Sequence, residues 1–217
     1  MQIILRRLRS EDISQVIEIE KEAFSPLWVT TPFKRELTNR YASYLVACGA
    51  AEPEEPTPEG SDSEQEEDLP TWRRWGSKIH GLLGKQTQSD AEPQDIAGYV
   101  SVWYQGDEAH ITEIAVRESL RGNGIGELLL IGSLRAAVEY GSKVMTLEVR
   151  VSNFIAQRLS EKYAFESVGI RKGYYSDNRE DAAIMTTCPI DTEEYHRKFE
   201  GLQESYRQRR GEITPVV

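Results

Sequence analysis

Residues 108–126 read Glu-Ala-His-Ile-Thr-Glu-Ile-Ala-Val-Arg-Glu-Ser-Leu-Arg-Gly-Asn-Gly-Ile-Gly. The first part, through Arg117, has the β-branched run of a strand. Glycines at 122, 124 and 126 then punctuate the chain, and residues 124–140 continue as a helix rich in Leu and Ala. Closely spaced glycines let backbone N–H groups converge on a phosphate without Cβ obstruction, and a helix N-terminus adds its positive dipole end. A pyrophosphate is the natural ligand of such a turn. A tight strand-to-helix connection is the plainer reading. No Gly-Lys-Ser/Thr follows, so it is not a Walker loop. The third glycine comes two residues after the second, where the dinucleotide fingerprint requires three.

Working outward, residues 2–8 read as a strand. Ser10 is placed to cap a helix with Ile13, Val16, Ile17, Ile19, Ala23 and Phe24 on its apolar side. A second helix is expected from Thr31-Pro32. Strands follow at 43–49, 96–105, 144–151, 165–171 and 182–188, and helices at 153–163 and 193–210, the last charged and mostly exposed. This is a mixed α/β order.

The chain has 217 residues and a formal charge of −10, which argues against nucleic-acid binding by bulk electrostatics. Two cysteines cannot build a disulfide framework or a four-ligand zinc site. No apolar run approaches the ~20 residues of a membrane span, and the N-terminus lacks signal-peptide character. A soluble cytoplasmic protein is expected. Residues 50–95 hold 12 acids and 4 bases, so most of the net charge sits in one insert, where a hairpin loop would be. Residues 51–71, with nine acids and four prolines, read as disordered. Residues 72–85 read as a short amphipathic helix with a basic face: either a weak docking element for a membrane or protein, or a helix packed on the parent domain.

The glycine turn after Ile-Ala-Val resembles that of the GNAT superfamily of N-acetyltransferases, whose pattern Arg/Gln-x-x-Gly-x-Gly/Ala is matched by Arg121, Gly124 and Gly126. Leu147-Glu148-Val149-Arg150-Val151-Ser152-Asn153, then Ala156, Leu159 and Phe165, Tyr174-Tyr175 and Glu180 to Met185 follow in order, and Phe24-Ser25-Pro26 with Trp28 agree near the N-terminus. The combination looks like the ribosomal-protein-alanine N-acetyltransferase (RimI-like) subfamily, over residues 1–49 and 96–190. The resemblance implies an α/β GNAT fold: a mixed, mostly antiparallel sheet splayed between two parallel strands, 108–117 and 144–151, and flanked by helices. The expected organisation is an acetyltransferase domain at 1–190, interrupted by the insert at 50–95, with a charged helix and tail at 191–217.

The resemblance further implies that acetyl-CoA, without a metal, lies in the split. Backbone groups of Ile114, Ala115 and Val116 would bind the pantetheine arm, with Asn153 on its other side. The backbone of Arg121, Gly122, Asn123, Gly124, Ile125 and Gly126 would cradle the pyrophosphate. Glu148 matches the proposed base, the alternative being an ordinary strand-end carboxylate. His110 is placed to relay a proton or to serve structure alone, and simple alternation puts Glu113 on the opposite face from it. The family tyrosine beside the leaving thiolate is Ser160 here, and Tyr163 is offset from that position by three residues. Tyr174 and Tyr175, with Phe24, Pro26 and Trp28, would shape the entrance for a small first residue, or else serve packing.

The implied reaction is acetylation of a protein N-terminal α-amine, with alanine on a small-subunit ribosomal protein the subfamily's substrate and no direct contact with nucleic acid. A small-molecule amine acetyltransferase and a catalytically weak acyl-CoA-binding protein are the competing classes. Because loop closure depends only weakly on length, replacing residues 51–92 with a short Gly-Ser linker is expected to leave the thermal unfolding transition intact. Collapse of that transition would instead make the 72–85 segment part of the core.

Overall fold

The computed structural model describes residues 3–24, 31–49 and 94–213; the expectations for residues 51–92, including the 72–85 helix, lie outside these. The strands are β1 (Ile3–Arg7), β2 (Ala42–Gly49), β3 (Ile96–Gln105), β4 (Glu108–Val116), β5 (Val144–Arg150), β6 (Phe165–Arg171) and β7 (Ala182–Thr187). They form one sheet in the order β1-β2-β3-β4-β5-β7-β6. Every neighbouring pair is antiparallel except β4 and β5. The splayed mixed α/β sheet expected from the sequence is present. The helices are α1 (Ile13–Phe24), α2 (Phe33–Glu36), α3 (Ile125–Tyr140), α4 (Phe154–Lys162) and α5 (Glu193–Arg210).

Period-2 alternation sends successive side chains to opposite faces, and both faces are covered. On one, Ile13, Val16 and Ile19 of α1 bury against Tyr44, Val46 and Tyr99. Phe33 packs edge-on to Tyr44 and Tyr99, with ring centroids 5.8 and 5.9 Å apart. On the other face, Leu128, Leu129, Ile131 and Leu134 of α3 meet Leu45, Val100, Ile111 and Leu147. The helix α3 is apolar nearly all round, as a helix covered on more than one side must be.

Three local details differ from the sequence reading. Ser10 begins a 3-10 turn, Ser10–Asp12, rather than capping α1. The Asp12 carboxylate instead accepts the Arg9 N–H at 2.8 Å and pairs with Arg6 at 2.6 Å. The second helix is a single turn, Phe33–Glu36, starting just after Pro32. The terminal helix α5 is exposed along its charged side, yet Tyr195, Phe199, Gln203 and Tyr206 are buried. Their spacing of four, four and three is that of one helical face. Phe199 meets the ring of Tyr163 with centroids 6.2 Å apart, and Arg135 of α3 donates to Gln203 Oε1 at 2.6 Å.

Gly98 of β3 stands where a Cβ would lie 2.6 Å from the Ala115 carbonyl oxygen of β4 and 3.1 Å from Leu129 Cδ1. The first of these neighbours is backbone and cannot rotate away. Gly98→Ala is therefore expected to destabilise the protein by about 1–3 kcal/mol, the usual range for overpacking. The urea midpoint measures it, and an unchanged midpoint would show that β3 and β4 part freely.

Candidate active site

The site is made by an interruption in the sheet. Ser101 of β3 faces Glu113, while the next residue, Val102, faces Ile111. Thr112 is thus an extra residue in β4, a bulge, which bends the strand and increases its twist. The Thr112 hydroxyl lies 2.5 Å from that of Ser101. Pairing of β4 with β5 covers Glu108↔Val144 to Ile111↔Leu147 and ends there, at the bulge. Beyond it the strands diverge. The β4 backbone from Thr112 to Val116 has no β5 rung opposite it, so a polar extended ligand can take its N–H and C=O groups, as a strand would. Ile114, in this stretch, is 37% exposed, whereas Ala115 is buried.

Where the split opens, the parallel register sets His110 beside Thr146, and Glu148 two residues on therefore shares its face. His110 Nε2 lies 2.9 Å from Glu148 Oε2. The Arg171 guanidinium at the end of β6 lies 3.2 Å from Oε1. The Glu148 side chain is only 4% exposed, with Leu147 and Val149 turned into the opposite core. Arg171 is not aligned for hydrogen bonding, so Oε1 is buried without a hydrogen-bond donor among the described residues. Such an orphaned acceptor in a cleft marks a place for a donor brought by a ligand. The cleft itself, about 450 Å³, is lined by Asn39, Tyr41, Trp103, His110, Glu148 and Arg171 among others.

Glu113 corrects the sequence reading. The bulge at Thr112 restarts the alternation, so Glu113 opposite Ser101 and His110 opposite Trp103 lie on the same face. Tyr99 donates to Glu113 Oε2 at 2.9 Å. Burial pushes the Glu113 carboxyl above its ordinary range; the Tyr99 bond works against that rise, and the charge of nearby Glu20 adds to it. Glu20 is itself buried and accepts from the Thr31 backbone N–H at 3.2 Å.

The glycine turn lies between the open end of β4 and α3. Gly122 and Gly124 have φ of 79° and 81°, the left-handed region that glycine enters without strain. Gly124 is the residue immediately before α3, so the free N–H groups of the first helical turn face out beside it. The Arg121 side chain donates back to Val116 O at 3.3 Å, and Asn123 Nδ2 folds onto Leu120 O at 3.1 Å. Their contribution to an anion site is thus chiefly backbone, as for Ile125 and Gly126 at the start of α3. Asn153 caps α4: its Oδ1 accepts the Ala156 N–H at 3.1 Å, a bond that does not use its two amide N–H donors. Ser160 donates to Ala156 O within its own helix at 2.9 Å. Tyr163 is fully buried and donates to Glu127 at 2.8 Å, so it does not take the place of the family tyrosine.

Tyr174 and Tyr175 meet edge-to-face, with centroids 5.2 Å apart. Arg150 stacks on Tyr175 at 3.8 Å and is fixed by Asp177 and Glu180 at 2.8 and 3.2 Å. Arg171 lies 5.6 Å from the Tyr174 centroid, which links this loop to Glu148. Phe24 ends α1 and is 39% exposed; Pro26 and Trp28 lie outside the described residues. Sequence reading missed Arg171, Trp103 and Tyr41. The only signal for them is a charged or aromatic residue at a strand end, and many residues share it.

The acetyltransferase (GNAT) family profile matches residues 50–165. The chain is 34% identical over 182 residues to a Bacillus subtilis protein provisionally named ribosomal protein bS18-alanine N-acetyltransferase, covering 83% of this chain and 92% of that one. It is 43% identical over 79 residues to an N-alpha-acetyltransferase of Saccharolobus solfataricus, covering 36% of this chain and 47% of that one. The fold is similar to the crystal structure of the ribosomal-protein-S18-alanine N-acetyltransferase from Escherichia coli, with a TM-score of 0.60 at 23% identity, over 88% of this chain and 96% of that one.

The position of Glu113 yields a pH-dependent expectation. Its folded pKa is raised, so at neutral pH the folded state carries the cost of a buried charge. Folding takes up the proton first as pH falls, and below the ordinary carboxylate value the cost is gone. Glu113→Gln should therefore unfold at a higher temperature than the native protein at pH 7–8, with the difference shrinking towards about pH 4. Calorimetric scans across that range check it. A difference that grows on acidification would reverse the assignment.

Proposed function

Because the chain belongs to the acetyltransferase (GNAT) family, we propose that it transfers an acetyl group from acetyl-CoA to the N-terminal α-amine of a protein, with alanine on a small-subunit ribosomal protein as the acceptor. The observation that carries the reading is the His110–Glu148 pair at the mouth of the β4–β5 split, with one carboxylate oxygen lacking a hydrogen-bond donor among the described residues. An α-ammonium would bring the hydrogen bond that Arg171, close to this oxygen but not aligned with it, does not make. The relatives' names supply the acceptor class.

The residues present fit acetyl-CoA. The β4 backbone at Ile114, Ala115 and Val116, paired with β3 but facing no β5 rung, suits the amide-bearing arm, with Asn153 across from it. The turn from Arg121 to Gly126 suits the pyrophosphate. Acetyl-CoA supplies an activated thioester, and this chain's residues must then deprotonate the amine and hold it in line. Glu148 is the base. His110, whose half-buried ring touches Oε2, relays the proton between cleft and carboxylate. Arg171 orients the carboxylate and ties it to Tyr174. Tyr174, Tyr175 and Phe24 form the entrance, which suits a small first residue. Ser160 is the hydroxyl nearest in sequence to the family's acid, and a thiolate leaves readily without one. No metal is assigned a role. Among the described residues no helix is long and apolar enough to cross a membrane, and we place the reaction in the cytoplasm.

Glu148→Gln is expected to lower kcat/KM by ~10²-fold, within the range for loss of a general base, with CoA affinity unchanged. His110→Gln should lower it less, since water can carry the proton to Glu148. The assay is acetyl transfer to peptides beginning with alanine, with calorimetric CoA binding beside it. Full activity in Glu148→Gln would remove Glu148 as the base, and a larger loss in His110→Gln would pass that role to the histidine.

A further inference from the structure

The C-terminal turn of α5 carries Arg207, Arg209 and Arg210, and the tertiary fold delivers it to the glycine turn. Arg210 Nη2 donates to the Gly122 carbonyl at 3.3 Å. The rest of that side chain lies along Gly124: a Cβ there would meet Arg210 Nε at 3.1 Å and Cδ and Cγ at 3.4 Å. Glycine at 124 is thus needed twice, for its left-handed backbone and for the room the arginine takes.

The turn of α5 is anchored in place by Glu127 in the first turn of α3. Arg209 pairs with its carboxylate at 3.1 Å, Lys162 of α4 pairs with it as well, and Tyr163 donates to it at 2.8 Å. Burial works against charge on Glu127, but the Lys162 and Tyr163 contacts prevail and hold its pKa below the ordinary value. A bare carboxylate in the first turn of a helix would repel an anion bound there. Here that charge is neutralised by Lys162 and Arg209, and the neutralising contacts also fix α5 so that Arg210 lies over the turn.

We propose that Arg210 is a phosphate ligand of the cosubstrate: its guanidinium, held over Gly122 and Gly124 by the Arg209–Glu127 anchor, completes the cradle for the pyrophosphate. The contact to Gly122 uses one of five guanidinium N–H donors, and a planar fork with donors to spare suits phosphate oxygens. The helix that supplies it, α5, lies outside residues 50–165, which the family profile matches. The inference rests on the acetyl-CoA reading above.

The test is calorimetric titration of CoA and of 3′-dephospho-CoA into the full-length protein, native and Arg210→Gln. The substituted side chain is exposed, and the thermal transition verifies that the fold is kept. Arg210→Gln should weaken both ligands by roughly five- to tenfold, as expected for an exposed charged hydrogen bond, and the loss should narrow as salt is raised. Arg210→Lys should fall between the two. Arg197→Gln, about 20 Å away along the same helix, should match the native protein. Equal or tighter binding in Arg210→Gln would overturn the proposal, because the arginine would then only cap the helix or obstruct the turn. A loss confined to CoA would overturn it too, by moving the contact to the 3′-phosphate. Failure of the native protein to bind CoA at all would strike the acetyl-CoA reading itself.

Discussion

The single parallel contact in the sheet, between β4 and β5, is only four residue pairs long, and the rest of the site depends on where it stops. It stops because Thr112 is an extra residue in β4. A bulge leaves one residue without a partner and turns the strand, so the two chains that were hydrogen-bonded at Ile111 and Leu147 separate. Divergence of two central strands would normally leave buried backbone groups unsatisfied. Here it makes an extended slot whose lining groups are open to a ligand, with His110 and Glu148 at its closed end and a helix N-terminus at its open end.

The helices hold that opening in shape. The helix α3 buries most of its surface and cannot shift without disturbing Leu45, Val100 and Ile111 together, so the glycine turn in front of it is rigidly placed. Glu127 adds a polar tie, gathering Lys162, Tyr163 and Arg209 from two other helices. On the opposite face, α1 and Phe33 pack on Tyr44 and Tyr99, and the Tyr99 hydroxyl extends to Glu113. On each face of the sheet, core packing and a polar tie thus act together to hold the slot in shape.

Two carboxylates within this region are kept distinct by their surroundings. Glu148 has a histidine and an arginine beside it. Glu113 has a phenol and a second carboxylate nearby, and its burial favours the neutral form. Burial thus suppresses a charge at Glu113, while Glu148 keeps two basic side chains within contact distance. Similar side chains serve different ends in this way because desolvation and neighbouring charge act in opposite directions.

Local pattern determined much of this protein. Alternation and β-branching marked the strands to within a residue or two, the glycines marked the turn, and the order of motifs from Arg121 through Asn153 to Tyr174 identified the family and its splayed sheet. Those features are legible because each depends on residues adjacent in the chain. The sequence could not show that Thr112 is bulged, since a bulge is a mismatch between two strands and leaves no mark in either one; hence simple alternation puts Glu113 on the face opposite His110, where the structure does not. Nor could it show that Arg171 reaches Glu148, that the Asp12 carboxylate rather than the Ser10 hydroxyl makes the capping bond, or that α5 brings Arg210 to Gly124. The first and last of these join residues far apart in the chain, whose distance in space is set by how the elements pack, and that packing is decided only when the whole core forms.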